Sequence, residues 1–297
     1  MARIRALTLF NKILVNRKTI DFFDAIRFQE SIFALPFAYT GMILASNGLP
    51  SLEKFFYITI AMISARTIGM VANRVIDREI DSKNPRTKNR HLPSGLLKSI
   101  DLIIPAILCS FILFWSAFQL NELSFYLAPV AITYLIFYPY SKRYTWASNI
   151  MLGWALAIAP SAAWIGVEGT LTLQPVLLSF SVAAWASSFD ILYHCQDFNF
   201  HKKTGLHSVA KTFGIVNAFR ISKILDIISI VGLVWLGVWM NLEITYFVGC
   251  LVATSLLAYK YVLVKPNDLS KMGMTFMRIN AFVSTTILLG TLASIII

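Results

Sequence analysis

Asn73, Asp77 and Asp81 recur at intervals of four in the segment NRVIDREIDSKNPRTKNRHLPSG, and Asp190 and Asp197 lie seven apart in SSFDILYHCQDFNFHKKTGLHSVAKTFG. On a helix of about 3.6 residues per turn, each spacing brings oxygen donors onto one face. Such donors suit a hard cation such as Mg2+, which takes few carboxylates directly and completes its octahedron with water and substrate phosphate. Bases follow each acidic group at once, Arg86 to Arg90 in the first case and Lys202 and Lys203 in the second. Facing carboxylate groups surrounded by Lys and Arg describe a site for a diphosphate bridged by two cations. The plainer alternative is that Asp77 and Asp81 cap a helix or pair with Arg74 and Arg78 at a surface. The recurrence of the acid-then-base order favours the first reading. Neither segment contains a glycine-rich nucleotide-binding loop.

Three further residue types bear on this site. His201 stands four after Asp197, where a third carboxylate is expected. Imidazole is a poor Mg2+ ligand, so His201 is read as supporting the ligands or orienting a phosphate, with metal contact or a base role as the alternative. Arg66 lies seven residues before Asn73 within an apolar run, and an ionisable side chain at membrane depth marks a functional site. The cysteines Cys109, Cys195 and Cys250 are isolated, which points to neither a disulfide framework nor a zinc site.

The elements that position these residues must be membrane helices. The chain is 57% hydrophobic and 14% charged, well below the roughly 25% charge of soluble domains. Its apolar residues form continuous blocks of membrane-crossing length, not the alternating pattern of a barrel. About nine spans are expected, over 31–48, 55–76, 101–119, 125–140, 149–167, 174–194, 216–240, 243–262 and 275–297. The fourth is short and bracketed by Pro129 and Pro139, so a broken or tilted helix is expected there. The net charge of +11 reads as a topology signal and not as affinity for nucleic acid. Most bases fall in the N-terminal segment, at 78–98, 142–143, 202–223 and 260–278, which nine spans place on one side. Glu53, Glu122, Glu168 and Glu243 fall on the other. The positive-inside rule puts the N-terminal segment 1–27 and the basic loops in the cytoplasm. No cleavable signal peptide is expected, and residues 1–297 read as a single transmembrane domain, all-α. The two acidic loops sit four helices apart, which suggests a helix-loop unit used twice.

These residues resemble the UbiA superfamily of intramembrane prenyltransferases. NxxxDxxxD is complete at Asn73, Asp77 and Asp81, and RTKNRHLPSG is similar to the family's RTxxRPLPSG, with His91 in place of Pro. The second motif is matched at Asp190, Tyr193 and Asp197, then Gly205, Ser208 and Gly214, and departs at His201. YPYSKRYTWASNIMLG, carrying Lys142 and Arg143, resembles the segment after the family's fourth helix. The resemblance implies a helical bundle with a central cavity, a Mg2+-bound polyprenyl diphosphate under a cytoplasmic cap and an aromatic acceptor alongside. It assigns Asn73, Asp77, Asp81, Asp190 and Asp197 to the metals. Lys142, Arg143 and Lys202 become candidate diphosphate contacts, with Tyr193 and His201 beside the substrate. Arg27 or Arg66 would take the acceptor carboxylate, Arg27 being readable also as an interfacial anchor. The branch implied is the 4-hydroxybenzoate polyprenyltransferase-like one, in a bacterial inner membrane and serving quinone biosynthesis. Its alternative acceptor is 1,4-dihydroxy-6-naphthoate. A transporter would show similar spans, and a CDP-alcohol phosphotransferase would need a denser aspartate signature than this chain has.

Overall fold

The structure is a computed structural model that describes residues 17–29 and 35–297. Arg3, Arg5, Lys12 and the first four positions of the span expected over 31–48 lie outside the described residues. A short amphipathic helix, α1 (Arg17–Ala25), precedes α2 (Leu35–Ser46) and the long α3 (Leu52–Ile76). After Asp77 comes α4 (Arg78–Lys83), and then α5 (Ser99–Leu120) and α6 (Glu122–Phe137). A 3-10 turn over Tyr138–Arg143 leads into α7 (Ser148–Glu168) and α8 (Leu173–His194). A second 3-10 turn, Cys195–Asp197, is followed by the short α9 (Phe198–Thr204) and α10 (Val209–Phe213). The chain closes with α11 (Ile215–Trp239), α12 (Ile244–Leu263) and α13 (Met274–Ile296). Among the described residues, the nearest thing to a sheet is one bridge between Lys265 and Asp268.

Eight of these helices are long and apolar enough to cross a membrane, and α2 is an apolar helix of 12 described residues. The nine expected spans therefore match nine helices, within a few residues at each end. Apolar side chains such as Phe111, Trp115 and Phe118 on α5, or Val231, Trp235 and Val238 on α11, stand exposed on the outside. That outward face is what lipid requires, since lipid offers the backbone no hydrogen bonds and favours helices whose polar groups turn inward. The fourth span does not break at Pro129, which sits within α6. It ends at Phe137, and the 3-10 turn that follows from Tyr138 contains Pro139.

The bundle has a solid half and a hollow half. Phe37, Trp164, Leu178, Trp185, Leu233 and Tyr246 belong to one continuous core drawn from α2, α7, α8, α11, α12 and α13. Helix α8 is its axis, with 72% of its apolar window buried against 17% for α6. Its Ala- and Ser-rich stretch AAWASS lets neighbours approach closely, the usual basis of packing in lipid. Gly153 of α7 shows how close: a Cβ there would lie 2.5 Å from the Ala183 carbonyl oxygen of α8. Gly41 of α2 meets the Pro160 carbonyl of α7 at 2.4 Å in the same sense. The hollow half, enclosed mainly by α3, α5, α6 and α7, holds a cavity of about 560 Å³.

One expectation about charge needs correction. Lys260 was grouped with the basic loop 260–278, but it lies in the last turn of α12 and is fully buried. Asp226, which carried no expectation, is its partner on α11 at 2.7 Å. Arg220 and Lys223, grouped with the 202–223 loop, lie within the first turns of α11.

Candidate active site

Helix α3 delivers the first acidic motif. Its hydrogen bonding runs on past its end, with Asp77 N–H donating to the Asn73 carbonyl at 3.1 Å and Asp81 N–H to the Asp77 carbonyl at 2.7 Å. The one-face arrangement of Asn73, Asp77 and Asp81 therefore survives the α3–α4 junction. Asn73 Nδ2 donates to Asp77 Oδ2 at 3.2 Å. Asp77 and Asp81 are 1% and 5% exposed, so they are not surface caps, and their partners come from elsewhere in the chain. Lys142 Nζ bonds Asp77 Oδ2, and Arg143 Nη1 lies 3.5 Å from Oδ1. Arg90 Nη1 holds Asp81 Oδ2 at 2.7 Å. Burial raises the Asp77 carboxyl above the ordinary carboxylate range, against the opposing pull of Lys142 and Arg143.

The 3-10 turn after α6 places Lys142 and Arg143. Arg143 Nη2 donates to the Ile76 carbonyl at 2.8 Å, satisfying the open end of α3. The Lys142 carbonyl accepts the His207 N–H at 2.7 Å, which ties this turn to the second acidic loop.

The two motifs meet through the 84–98 loop. Arg86 makes a two-pronged bond to Asp197, Nε to Oδ1 at 2.9 Å and Nη2 to Oδ2 at 2.5 Å, the strong geometry for guanidinium and carboxylate. Asn84 Nδ2 adds a bond to Asp197 Oδ1 at 2.9 Å. Arg86 Nη1 also donates to the Tyr193 hydroxyl at 3.2 Å, with its guanidinium 5.0 Å from the ring centre. Burial opposes the Arg86 charge, but the Asp197 bond outweighs it and holds the group above its usual range. Asp190 turns the other way, towards α7. It accepts from Asn149 Nδ2 at 2.7 Å and lies 3.1 Å from His194 Nδ1. Asn149 Oδ1 in turn takes the Val209 N–H at 3.1 Å.

His201 is 4% exposed. Its Nδ1 meets Ser208 Oγ at 3.1 Å, and its ring lies 5.7 Å from that of His194. The Ser208 contact ties α9 to the start of α10. Lys202 is exposed, and among the described residues no hydrogen bond or ion pair of its side chain forms. Arg86 and Arg90, rather than Lys202, make the contacts to Asp197 and Asp81. Sequence offered a signal for them, the basic tail of the first motif, but nothing in Asn84 or Asn149 marked them out.

Two cavities flank this cluster. Arg66 and Tyr138 line the 560 Å³ cavity, whose remaining lining is almost wholly apolar, and Tyr138 lies within Coulombic reach of Arg66, Asp77 and Asp190. Its aromatic lining is Tyr134, Tyr138 and Trp154, and no Phe among the described residues contributes. A second cavity of about 430 Å³ is bounded by Arg27, Arg74, Arg86, Arg90 and Tyr193. Arg27 follows α1 with φ 51°, a left-handed position usually given to Gly. Arg27 and Arg66, the two alternatives for one role, thus belong to different chambers.

Among the described residues no three His, Cys, Asp or Glu side chains converge as a ready-made metal cluster. The donor set still fits Mg2+, which needs only one or two carboxylates per ion when phosphate supplies further oxygens. Asp77 Oδ1 is buried without a hydrogen-bond partner, an oxygen of the kind such an ion takes.

A sequence profile of the UbiA prenyltransferase family matches residues 34–283. The chain is 30% identical over 254 residues to a 4-hydroxybenzoate octaprenyltransferase of Vibrio cholerae serotype O1, covering 86% of this chain and 89% of that one. It is 27% identical over 243 residues to the enzyme of that name from Francisella tularensis subsp. novicida, covering 82% and 83%. Among solved structures, a UbiA homolog from Aeropyrum pernix K1 superposes with a TM-score of 0.80 at 23% identity, over 89% of this chain and 98% of that one. A UbiA homolog from Archaeoglobus fulgidus bound to GPP and Mg2+ gives 0.71 at 17% identity, over 93% and 100%.

Proposed function

The chain belongs to the UbiA prenyltransferase family, and from that membership we propose that it transfers a polyprenyl chain from polyprenyl diphosphate to 4-hydroxybenzoate or a closely related aromatic acid. The observation that carries the reading is the convergence of two acidic motifs and four bases at the polar end of an apolar cavity. Asp77 and Asp81 with Asn73, and Asp190 with Asp197, would hold Mg2+. An ion held there would supply charge neutralisation to the diphosphate and so weaken its bond to the allylic carbon. Arg86, Arg90, Lys142 and Arg143 supply the remaining positive charge for the departing group. The 560 Å³ cavity takes the prenyl chain and keeps water from the allylic cation. Arg66 and Tyr138 sit at the polar end of that cavity.

The second cavity supports a site for the acceptor. Arg27, with Arg74 beside it, takes the carboxylate, which leaves the ring directed towards the cluster around Arg86 and Tyr193. The ring carbon activated by the phenolic hydroxyl attacks the allylic cation, and loss of the ring proton restores aromaticity. The names of the Vibrio and Francisella relatives support this acceptor. The charge pattern supports a bacterial inner-membrane location with the acidic loops in the cytoplasm, where soluble precursors arrive.

The test is prenyl transfer by the purified full-length protein with Mg2+ and a long-chain prenyl diphosphate, following products by mass. Product with 4-hydroxybenzoate and none with 1,4-dihydroxy-6-naphthoate is expected. Product with the naphthoate alone would move the protein to the other quinone route, and intact diphosphate throughout would overturn the transferase reading.

A further inference from the structure

Behind the acidic motifs lies a second polar cluster that the proposed chemistry does not use. Lys260 of α12 and Asp226 of α11 are 0% and 5% exposed, and Lys260 Nζ lies 3.0 and 2.7 Å from the two Asp226 oxygens. Lys260 also donates to Ser188 Oγ on α8 at 3.0 Å. Tyr261 donates its hydroxyl proton to Asp226 Oδ2 at 2.6 Å. Ser222 of α11 closes the circuit, 2.7 Å from Ser188 Oγ and 2.8 Å from the Tyr261 hydroxyl. The donors and acceptors balance. Ser188 Oγ accepts from Lys260 and gives its proton to Ser222, which passes its own to Tyr261 or to the Ser188 carbonyl at 3.0 Å.

A buried ion pair is a poor device for stability alone, because apolar residues of similar volume often do as well or better. What this one does have is direction. Ser188 and Asp190 are two residues apart, so they point to nearly opposite sides of α8. Ser188 faces α11 and α12, whereas Asp190 faces Asn149 of α7. Fixing Ser188 therefore fixes the rotation of α8 about its own axis, and with it the aim of Asp190. Lys260 lies in the last turn of its helix and Ser188 in the last third of α8, so the clamp grips α8 at the end that carries the motif.

We infer that the Asp226–Lys260 pair, acting through Ser188, is a positioning device that holds Asp190 on the α7-facing side of α8, against Asn149, from which it serves the cation site. The inference rests on the reading of Asp190 as part of that site. The test uses the purified full-length protein with Mn2+ as probe and a non-reacting prenyl thiodiphosphate present, reading bound Mn2+ by electron paramagnetic resonance, with thermal unfolding in parallel. Ser188→Ala removes the Oγ links from Lys260 and Ser222 to α8, keeps the Ser222 bond to the Ser188 carbonyl and leaves the ion pair in place. Asp226→Leu combined with Lys260→Met removes the pair without stranding a charge. Both variants are expected to stay folded and to bind Mn2+ about tenfold more weakly, the scale seen when groups that orient metal ligands are removed. Asp190→Asn is expected to weaken Mn2+ at least as much. If Asp190→Asn weakens Mn2+ and the other two bind it as the unaltered protein does, the positioning role is overturned and the site stands. If Asp190→Asn also binds normally, the reading of Asp190 and the inference built on it fall together.

Discussion

At the residue scale, Asp77, Asp190 and Asp197 are each met by a base or amide from a distant part of the chain, whereas Asp81 is met by the nearby Arg90. Arg86 and Asp197 are 111 positions apart, and Lys142 and Asp77 are 65 apart. Asp197→Ala is expected to lower prenyl transfer about a hundredfold or more, as loss of a metal ligand does. The same variant should elute as a folded monodisperse species in detergent, because the Arg86 side chain is already 28% exposed and can turn to water. Wild-type turnover by that variant would sink the assignment. Arg27 allows a cleaner separation of roles. Its backbone holds φ 51°, which Gly adopts without strain. Arg27→Gly should therefore unfold no earlier than the parent while raising KM for the aromatic acid and leaving KM for prenyl diphosphate near its starting value. A shift in both constants would mean that Arg27 serves the donor or the fold instead.

At the element scale, the site depends on where helices end. Helix α3 stops one residue before Asp77, the 3-10 turn after α6 carries Lys142 and Arg143, and α8 gives way to a 3-10 turn just before Asp197. Both acidic motifs therefore sit where a long span yields to a short helix, in keeping with a unit used twice. The ends stay in register because the spans touch backbone to backbone. Gly153→Ala would push a methyl group to 2.5 Å from the Ala183 carbonyl, so α7 must move away from α8. A loss of about 1–3 kcal/mol is expected from such overpacking, read as an earlier thermal transition in detergent. An unchanged transition would show that the α7–α8 contact yields easily. Because Asn149 of α7 bonds Asp190 of α8, activity should fall along with stability.

At the scale of the whole molecule, the bundle divides its labour. The half built on α8 is packed solid, and the half bounded by α3, α5, α6 and α7 is left open as an apolar chamber with Arg66 and Tyr138 in its lining. The solid half gives a fixed support for Asp190 and Asp197, and the open half is the chamber proposed for the substrate's hydrocarbon. Ala162 lines the chamber near the end of α7 farthest from the site. Ala162→Phe is expected to slow transfer from long-chain donors and to spare transfer from geranyl diphosphate. Equal slowing of short and long donors would place the prenyl chain elsewhere.

The amino-acid sequence by itself determined the spans, the cluster of ionisable side chains and the side of the bundle on which they gather. The reason is local: a bilayer demands about 20 apolar residues per crossing, and the spacings of Asn73, Asp77 and Asp81 or of Asp190 and Asp197 are properties of single helices. Pairings across the bundle left no such trace. Only the tertiary structure decided that Arg86 closes on Asp197 of the second motif, and that Arg27 and Arg66 open into separate chambers. It alone took Lys260 out of a basic loop and buried it against Asp226. Hydropathy and spacing describe what one helix presents along its length. Which base reaches which acid follows from how helices are rotated and stacked against one another, and that is fixed by side-chain packing summed over the whole bundle.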